Sequence, residues 1–301
     1  METKRSWLLY WLLFSSVPSF AAEHTGYQDW LQHKEELAGY AAGPTGYYSI
    51  QDMRELHPGS VAYLASSKKV DRIRWSDKSV KNVLARVDYK DHTAVISGPG
   101  IQDTDLLQLP DRQIQLPNHL IVRVSFLHET SLKVWLYNPT LPVKRGFKSL
   151  TFFGYDTRGV LQGIFHRYET PAAVSYLDSR DEEGTMYVVG TLKVQVDGKS
   201  YDLKTYSYQK SWDDIEALLV LLRDRTSGKT SYAGGRVAEV HFPPGAPPER
   251  MTIDLNGSYS FLCAHSSFYN CPLVLATRID AELNYGEKYP PLFSATKAVV
   301  R

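Results

Sequence analysis

Residues 186–208, MYVVGTLKVQVDGKSYDLKTYSY, decide the fold class. Two runs rich in Val, Leu, Thr and Tyr flank the pair Asp197-Gly198. β-Branched and aromatic side chains suit a half-buried pleated surface. An Asp-Gly pair suits a type I′ turn, whose two central residues both need positive φ. The stretch therefore reads as an antiparallel hairpin, 186–196 against 199–208. Runs of the same kind recur at 60–65, 70–75, 80–89, 93–97, 120–127, 132–137, 150–154 and 163–168. Downstream, 217–222 is continuously apolar and is either a strand covered on both faces or a helix turn capped by Ser211 and Asp214; the β context favours the strand, and 236–242 and 251–255 are further strand candidates.

One helix stands apart from this pattern, over 25–40. Thr25 and Gln28 have capping-box spacing. Tyr27, Trp30, Leu31, Lys34 and Leu37 trace one stripe, along which the Lys34 stem can lie. Gly39 reads as its stop. The expected architecture is mainly β: an antiparallel β-barrel or two packed β-sheets, with one N-terminal α-helix laid against it. Closure or pairing would hide the edges that many short strands expose.

The first 21 residues have the layout of a secretory signal. Lys4 and Arg5 form the positive region, 7–14 is apolar, and Ser19-Phe20-Ala21 offers small residues for cleavage after Ala21. The apolar run is too short to span a bilayer. No Cys follows it to carry a lipid anchor, and no second long apolar run occurs. The expected organisation is a signal over 1–21, a lead-in and helix over 22–46, a β domain over 47–293 with a sub-boundary near 110–117, and a tail over 294–301. The expected location is periplasmic or secreted, with no membrane span after signal removal. Oligomeric state is not legible.

Charge narrows the partners. The chain has 34 Lys and Arg against 33 Asp and Glu, a net charge of +1. Losing 1–21 removes Lys4, Arg5 and Glu2 and leaves the two signs balanced. Nucleic-acid binding needs a clustered basic excess, so it is excluded as the main function. Tyr is unusually abundant, 20 residues against 11 Phe, which suits strands and also the walls of a sugar or small-molecule cleft.

Familiar catalytic signatures are missing. The chain has no G-x-S-x-G elbow, no Walker A sequence, no dinucleotide glycine fingerprint and no H-E-x-x-H. Thr226-Ser227-Gly228 reads as a sharp turn after a buried strand. Cys263 and Cys271 are the two cysteines, spaced C-x7-C. In an exported protein they would pair as a disulfide. Closing so short a loop contributes about 2.5 kcal/mol on the chain-entropy view. A zinc ion held by Cys263, His265 and Cys271 is the alternative, and two unpaired thiols a third; otherwise no cofactor is expected.

Polar residues crowd the last third. Asp254 and Asn256 share the less apolar face of their strand, Asp224 ends a buried run, and Arg236 begins another. Arg236 between Asp224 and Asp254 could form an ion-pair network. The same residues could line a pocket in which Arg236 or Lys288 holds an anion, with Tyr232 and Tyr259 as flat contact surfaces. Three functions stay open. One is a non-catalytic β module binding a small molecule or glycan through Asp224, Tyr232, Arg236, Asp254, Asn256, Tyr259, Glu287 and Lys288. Another is a hydrolase with Asp224 or Asp254 as carboxylate base, with or without zinc. The last is a structural envelope protein.

These residues also carry a resemblance. Arg223-Asp224, Thr226-Ser227-Gly228, Ser231-Tyr232, Gly235-Arg236, Asp254, Asn256, Tyr259, Cys263, Cys271-Pro272-Leu273 and Gly286-Glu287-Lys288 occur in the order seen in a bacterial family of unknown function, DUF1684. The chain resembles that family strongly over 218–288 and more faintly over 27–37 and 152–170. The resemblance implies a predominantly β fold and no particular activity. Gly257 stands where the family has Arg, Phe261-Leu262 replace its Asn-Pro-Pro run, and Val274-Leu275-Ala276 replace a Pro-rich stretch.

Overall fold

The computed structural model describes residues 26–67, 72–79, 81–127, 131–179, 181–242 and 247–289. The expected signal over 1–21 and tail over 294–301 lie outside them. The chain divides into two compact units. Among the described residues one comprises 39–148, and the other comprises 26–38 together with 149–289. The Pro-rich stretch 110–117 lies inside the first unit.

The first unit holds nine strands: β1 (Ile50–Leu56), β2 (Ser60–Ser67), β3 (Arg72–Ser76), β4 (Val83–Lys90), β5 (Thr93–Gly98), β6 (Ile101–Asp105), β7 (Gln113–Gln115), β8 (Ile121–Phe126) and β9 (Leu132–Tyr137). They form two antiparallel sheets, ordered β1-β9-β8-β7 and β3-β2-β4-β5-β6. Period two sends alternate side chains to one face. Val122, Val124, Val134 and Leu136 of one sheet thus meet Ala62, Leu64, Val87 and Ile96 of the other in one core.

The second unit is built on one eight-stranded sheet. Its strands are β10 (Val160–Leu177), β11 (Glu183–Val196), β12 (Lys199–Ser207), β13 (Ala217–Arg223), β14 (Arg236–His241), β15 (Arg250–Asp254), β16 (Tyr259–Ser260) and β17 (Thr277–Arg278). The order is β15-β10-β11-β12-β13-β14-β16, and β17 adds a parallel pairing to β13. The hairpin read from the sequence is β11 and β12, with Val196 opposite Lys199 and φ of 48° and 76° at Asp197 and Gly198. The apolar run 217–222 is β13, whose Leu218, Val220 and Leu222 enter a core with Val189, Leu192, Ile253 and Leu255.

The mainly antiparallel β expectation is borne out, as packed open sheets rather than a closed barrel. The helix is also present, as α1 (Tyr27–Ala42). It runs through Gly39 to Ala42, so Gly39 does not end it. Among the described residues no helix is long and apolar enough to cross a membrane. The expected strand over 150–154 is reduced to a single bridge between Phe152 and Glu287.

Candidate functional site

The polar residues of the last third all fall in the second unit, but they gather into four separate arrangements. The deepest is centred on Arg236. Its guanidinium donates through Nη2 to Asp224 Oδ2 and to the Leu283 carbonyl at 3.0 Å, and through Nη1 to the Tyr285 carbonyl. The Arg236 and Asp224 side chains are 1% and 0% exposed. Burial pulls the Arg236 pKa down, while Asp224 and Glu287 act against that shift. Asp224 Oδ1 accepts from Thr226 N–H at 2.6 Å, and Ser227 Oγ accepts from Asp224 N–H at 3.1 Å. The Thr226-Ser227-Gly228 turn is thereby the collar that holds the carboxylate, with Gly228 at φ 84°.

Glu287 extends this arrangement. Its Oε2 accepts from Ser260 N–H at 2.8 Å, and its Oε1 lies 3.1 Å from His265 Nε2, both side chains almost fully enclosed. Gly286 has φ 72°, and a Cβ there would run into Ser258. The Gly-Glu-Lys motif thus needs its glycine to bring Glu287 under β16. Arg236 Nε and Ser260 Oγ, on opposed residues of β14 and β16, have no partner among the described residues. Enclosed groups of this kind are costly unless paired, so the network depends on its remaining bonds.

The second arrangement is a tie. Asp254 Oδ1 accepts from Asn256 N–H at 2.8 Å and from Asn256 Nδ2 at 2.7 Å. Asn256 also exchanges two bonds with the Asp156 backbone, at 2.9 and 3.0 Å. Its carbonyl accepts from the Trp30 indole at 3.1 Å, and the Gly257 carbonyl lies 2.9 Å from His33 Nε2. The start of α1 is held in place by these two carbonyls. Burial is the main cause of the raised Asp254 pKa, against the two Asn256 bonds and the His33 charge.

The other two arrangements are smaller. Tyr259 donates its hydroxyl to Glu239 Oε1, and Glu239 Oε2 lies 3.1 Å from His241. Tyr232 Oη lies 3.6 Å from Cys263 Sγ, and Lys288 Nζ sits over the Phe153 ring at 4.9 Å.

The expected ligand set is therefore divided. Asp224, Arg236 and Glu287 come together and are enclosed; Asp254 and Asn256 form the tie; Tyr259, Tyr232 and Lys288 each have another partner. The disulfide expectation is corrected, because Cys263 and Cys271 stand as two free thiols. Cys263 N–H donates to Cys271 Sγ at 3.2 Å, a backbone contact that seats one sulfur beside the neighbouring residue. His265 Nε2 faces Glu287, and among the described residues no group of three His, Cys, Asp or Glu is placed to hold a metal. Sequence reading missed Trp30, His33, Ser260 and Glu239 as partners. The weak signal for Trp30 was its indole N–H, which needs an acceptor wherever the ring is buried.

These arrangements define a mainly antiparallel β module in which the motif residues Asp224, Arg236, Asn256 and Glu287 are buried. Residues 145–288 match the model of a family described as "Protein of unknown function (DUF1684)", which bears out the resemblance over that stretch. The matched stretch includes 152–170 and leaves 27–37 outside. No curated protein matches the chain. Among solved structures, the chain is similar to an uncharacterized protein of Haloarcula marismortui determined by solution NMR, at 29% identity over 48% of this chain and 79% of that one, with a TM-score of 0.41.

Proposed function

We propose that this protein is an exported, non-catalytic β module of the cell envelope, and that its motif residues hold the second unit together rather than meet a substrate. The observation that carries this reading is the enclosure of Asp224 with Arg236, at 0% and 1% exposure. A general base must reach the proton it removes. Asp224 is engaged by a guanidinium and a backbone N–H, and Glu287 by Ser260 and His265. Export rests on the layout of residues 1–21. Two measurements test the proposal. Sequencing the N-terminus of protein from the periplasmic or medium fraction should begin at Ala22; an uncleaved cytoplasmic product removes export. Protein purified without chelator should hold under about a tenth of an equivalent of zinc. Stoichiometric zinc together with ester or amide hydrolysis overturns the non-catalytic reading.

A second reading, glycan binding, is favoured by the aromatic group at the start of α1. Tyr27, Trp30 and Tyr155 lie with ring centroids 5.6–5.9 Å apart, and Tyr27 is 53% exposed. Burial, and after it the Asp254 charge, raises the Tyr155 pKa, and Asp254 directs only Oδ1 to Asn256. Aromatic faces beside a carboxylate suit a sugar ring and its hydroxyls. Calorimetry with cell-wall oligosaccharides is the test: Tyr155→Ala should weaken binding at least about fivefold, and identical titrations of wild type and variant remove the reading.

A further inference from the structure

The two thiols have an arrangement that a structural role does not require. Cys271 is buried, 4% exposed, and Cys263 is partly open to solvent. Cys263 N–H reaches Cys271 Sγ at 3.2 Å, so the sulfur of one lies against the backbone of the other. Tyr232 Oη stands 3.6 Å from Cys263 Sγ on the other side.

The loop between them is anchored at its far end. Cys271 N–H donates to Ser179 Oγ at 3.1 Å, and the Cys271 carbonyl accepts from Ser179 N–H at 3.0 Å. Asn270 Nδ2 donates to Asp178 Oδ2 at 2.5 Å and Glu182 Oε2 at 2.6 Å. All three partners belong to the turn between β10 and β11. Cys271 is thus tied to that turn by hydrogen bonds. Cys263 sits in the short 3-10 turn Leu262–Ala264, which carries no side-chain cap.

We infer that Cys263 and Cys271 form a redox-active dithiol that exchanges with small-molecule disulfides, with Cys263 as the attacking sulfur and Cys271 as the resolving one. Accessibility sets the order, because Cys263 is the less buried of the two residues. Hydrogen bonds from Cys271 and Tyr232 also hold the Cys263 thiol below its usual range, while the Cys263 contact and burial push Cys271 up. In the first step the Cys263 sulfur forms a bond to one sulfur of the incoming disulfide, whose S–S bond breaks and releases one thiolate. In the second, Cys271 sulfur attacks Cys263 sulfur, the mixed disulfide breaks, and the second small thiol leaves. The Cys271 proton passes to the leaving sulfur. Two electrons move from the protein dithiol to the small disulfide, and the loop from 263 to 271 becomes covalently closed. Tyr232 is a positioning residue that supports the Cys263 thiolate.

Oxidised glutathione added to the full native chain is the test, with intact mass and free-thiol counting as readouts. Wild type should lose both thiols together and retain no glutathione. Cys271→Ser should accumulate one glutathione on Cys263, and Cys263→Ser should stay unmodified until denaturant is added. Tyr232→Phe should slow the Cys263 reaction at neutral pH roughly threefold, with the two-thiol end point unchanged. A stable glutathione adduct on wild type, a faster reaction at Cys271, no reaction in the native state, or zinc held by both sulfurs would each overturn the inference. Acid-quenching wild type early and mapping which cysteine carries glutathione in the mixed disulfide reads the order of attack, so the conclusion does not depend on how either serine variant folds.

Discussion

The Arg236 network and the Cys263–Cys271 loop come from one motif-rich stretch, yet they stand in opposite relations to solvent. Arg236 lies on β14 with carbonyls from 283 and 285 closed over it. Cys263 lies in a short turn and is half-buried, while Cys271 is buried. The same density of reactive residue types therefore means two things. Charge sealed beneath a sheet end is architecture. Sulfur that is only half-buried is where the proposed exchange chemistry would sit.

Five substitutions would sharpen or break this contrast. Arg236→Met leaves the Asp224 carboxylate buried without its partner, and should cost about 3–5 kcal/mol in urea unfolding. The double variant Arg236→Met/Asp224→Leu should recover much of that loss, since paired apolar replacements are often neutral. A single-variant loss under about 1 kcal/mol would mean that the network is not architecture. Next in size, Asn256→Ala removes the bonds to Asp156 and Asp254 that position its carbonyl under Trp30. A loss of about 1–3 kcal/mol is expected, with faster amide exchange at the start of α1 as the readout.

Cys263→Ser belongs to the open region and should shift the unfolding midpoint by no more than about 0.5 kcal/mol. A loss as large as that of Arg236→Met would erase the distinction between the two regions.

The smallest effect is a pH dependence at His241. Its hydrogen bond to Glu239 raises the imidazole pKa above 6.5. Stability from a raised base is complete below the unfolded value and is lost as pH rises through the folded one. The His241 side chain is 57% exposed, so screening limits the contribution to about 0.5 kcal/mol. Urea midpoints of wild type should fall slightly from pH 6 toward alkaline pH, and His241→Ala should flatten that fall.

The parts of the fold legible in the sequence were those with local causes. Asp197-Gly198 marks its hairpin because both positions need positive φ, and 217–222 is apolar because both faces of β13 are covered. β1, IQDMREL, was missed: four of its seven residues are polar, and only Ile50 and Leu56 are fully buried. The far half of β10 was missed because Pro171 looks like a break, yet the register only shifts between Arg167 and Ala172 before pairing resumes. At the site, residue types and groupings were legible and burial was not. Arg236 is sealed by carbonyls nearly fifty positions onward, and a backbone carbonyl has no signature in the sequence. His265 beside two cysteines suggested a metal ligand, but a carboxylate twenty-two positions away takes its ring nitrogen.

The tie between α1 and the 256–257 carbonyls also has a consequence in time. Trp30 and Asn256 are 226 positions apart, and the second unit is split in sequence, its opening segment preceding the whole of residues 39–148. A chain emerging from the ribosome or a translocation channel can complete the first unit while the second still lacks most of its strands. The helix then waits, its indole unmatched, until the last quarter of the polypeptide arrives. Truncations near the C-terminus should accordingly yield a protein half folded, with α1 the earliest casualty.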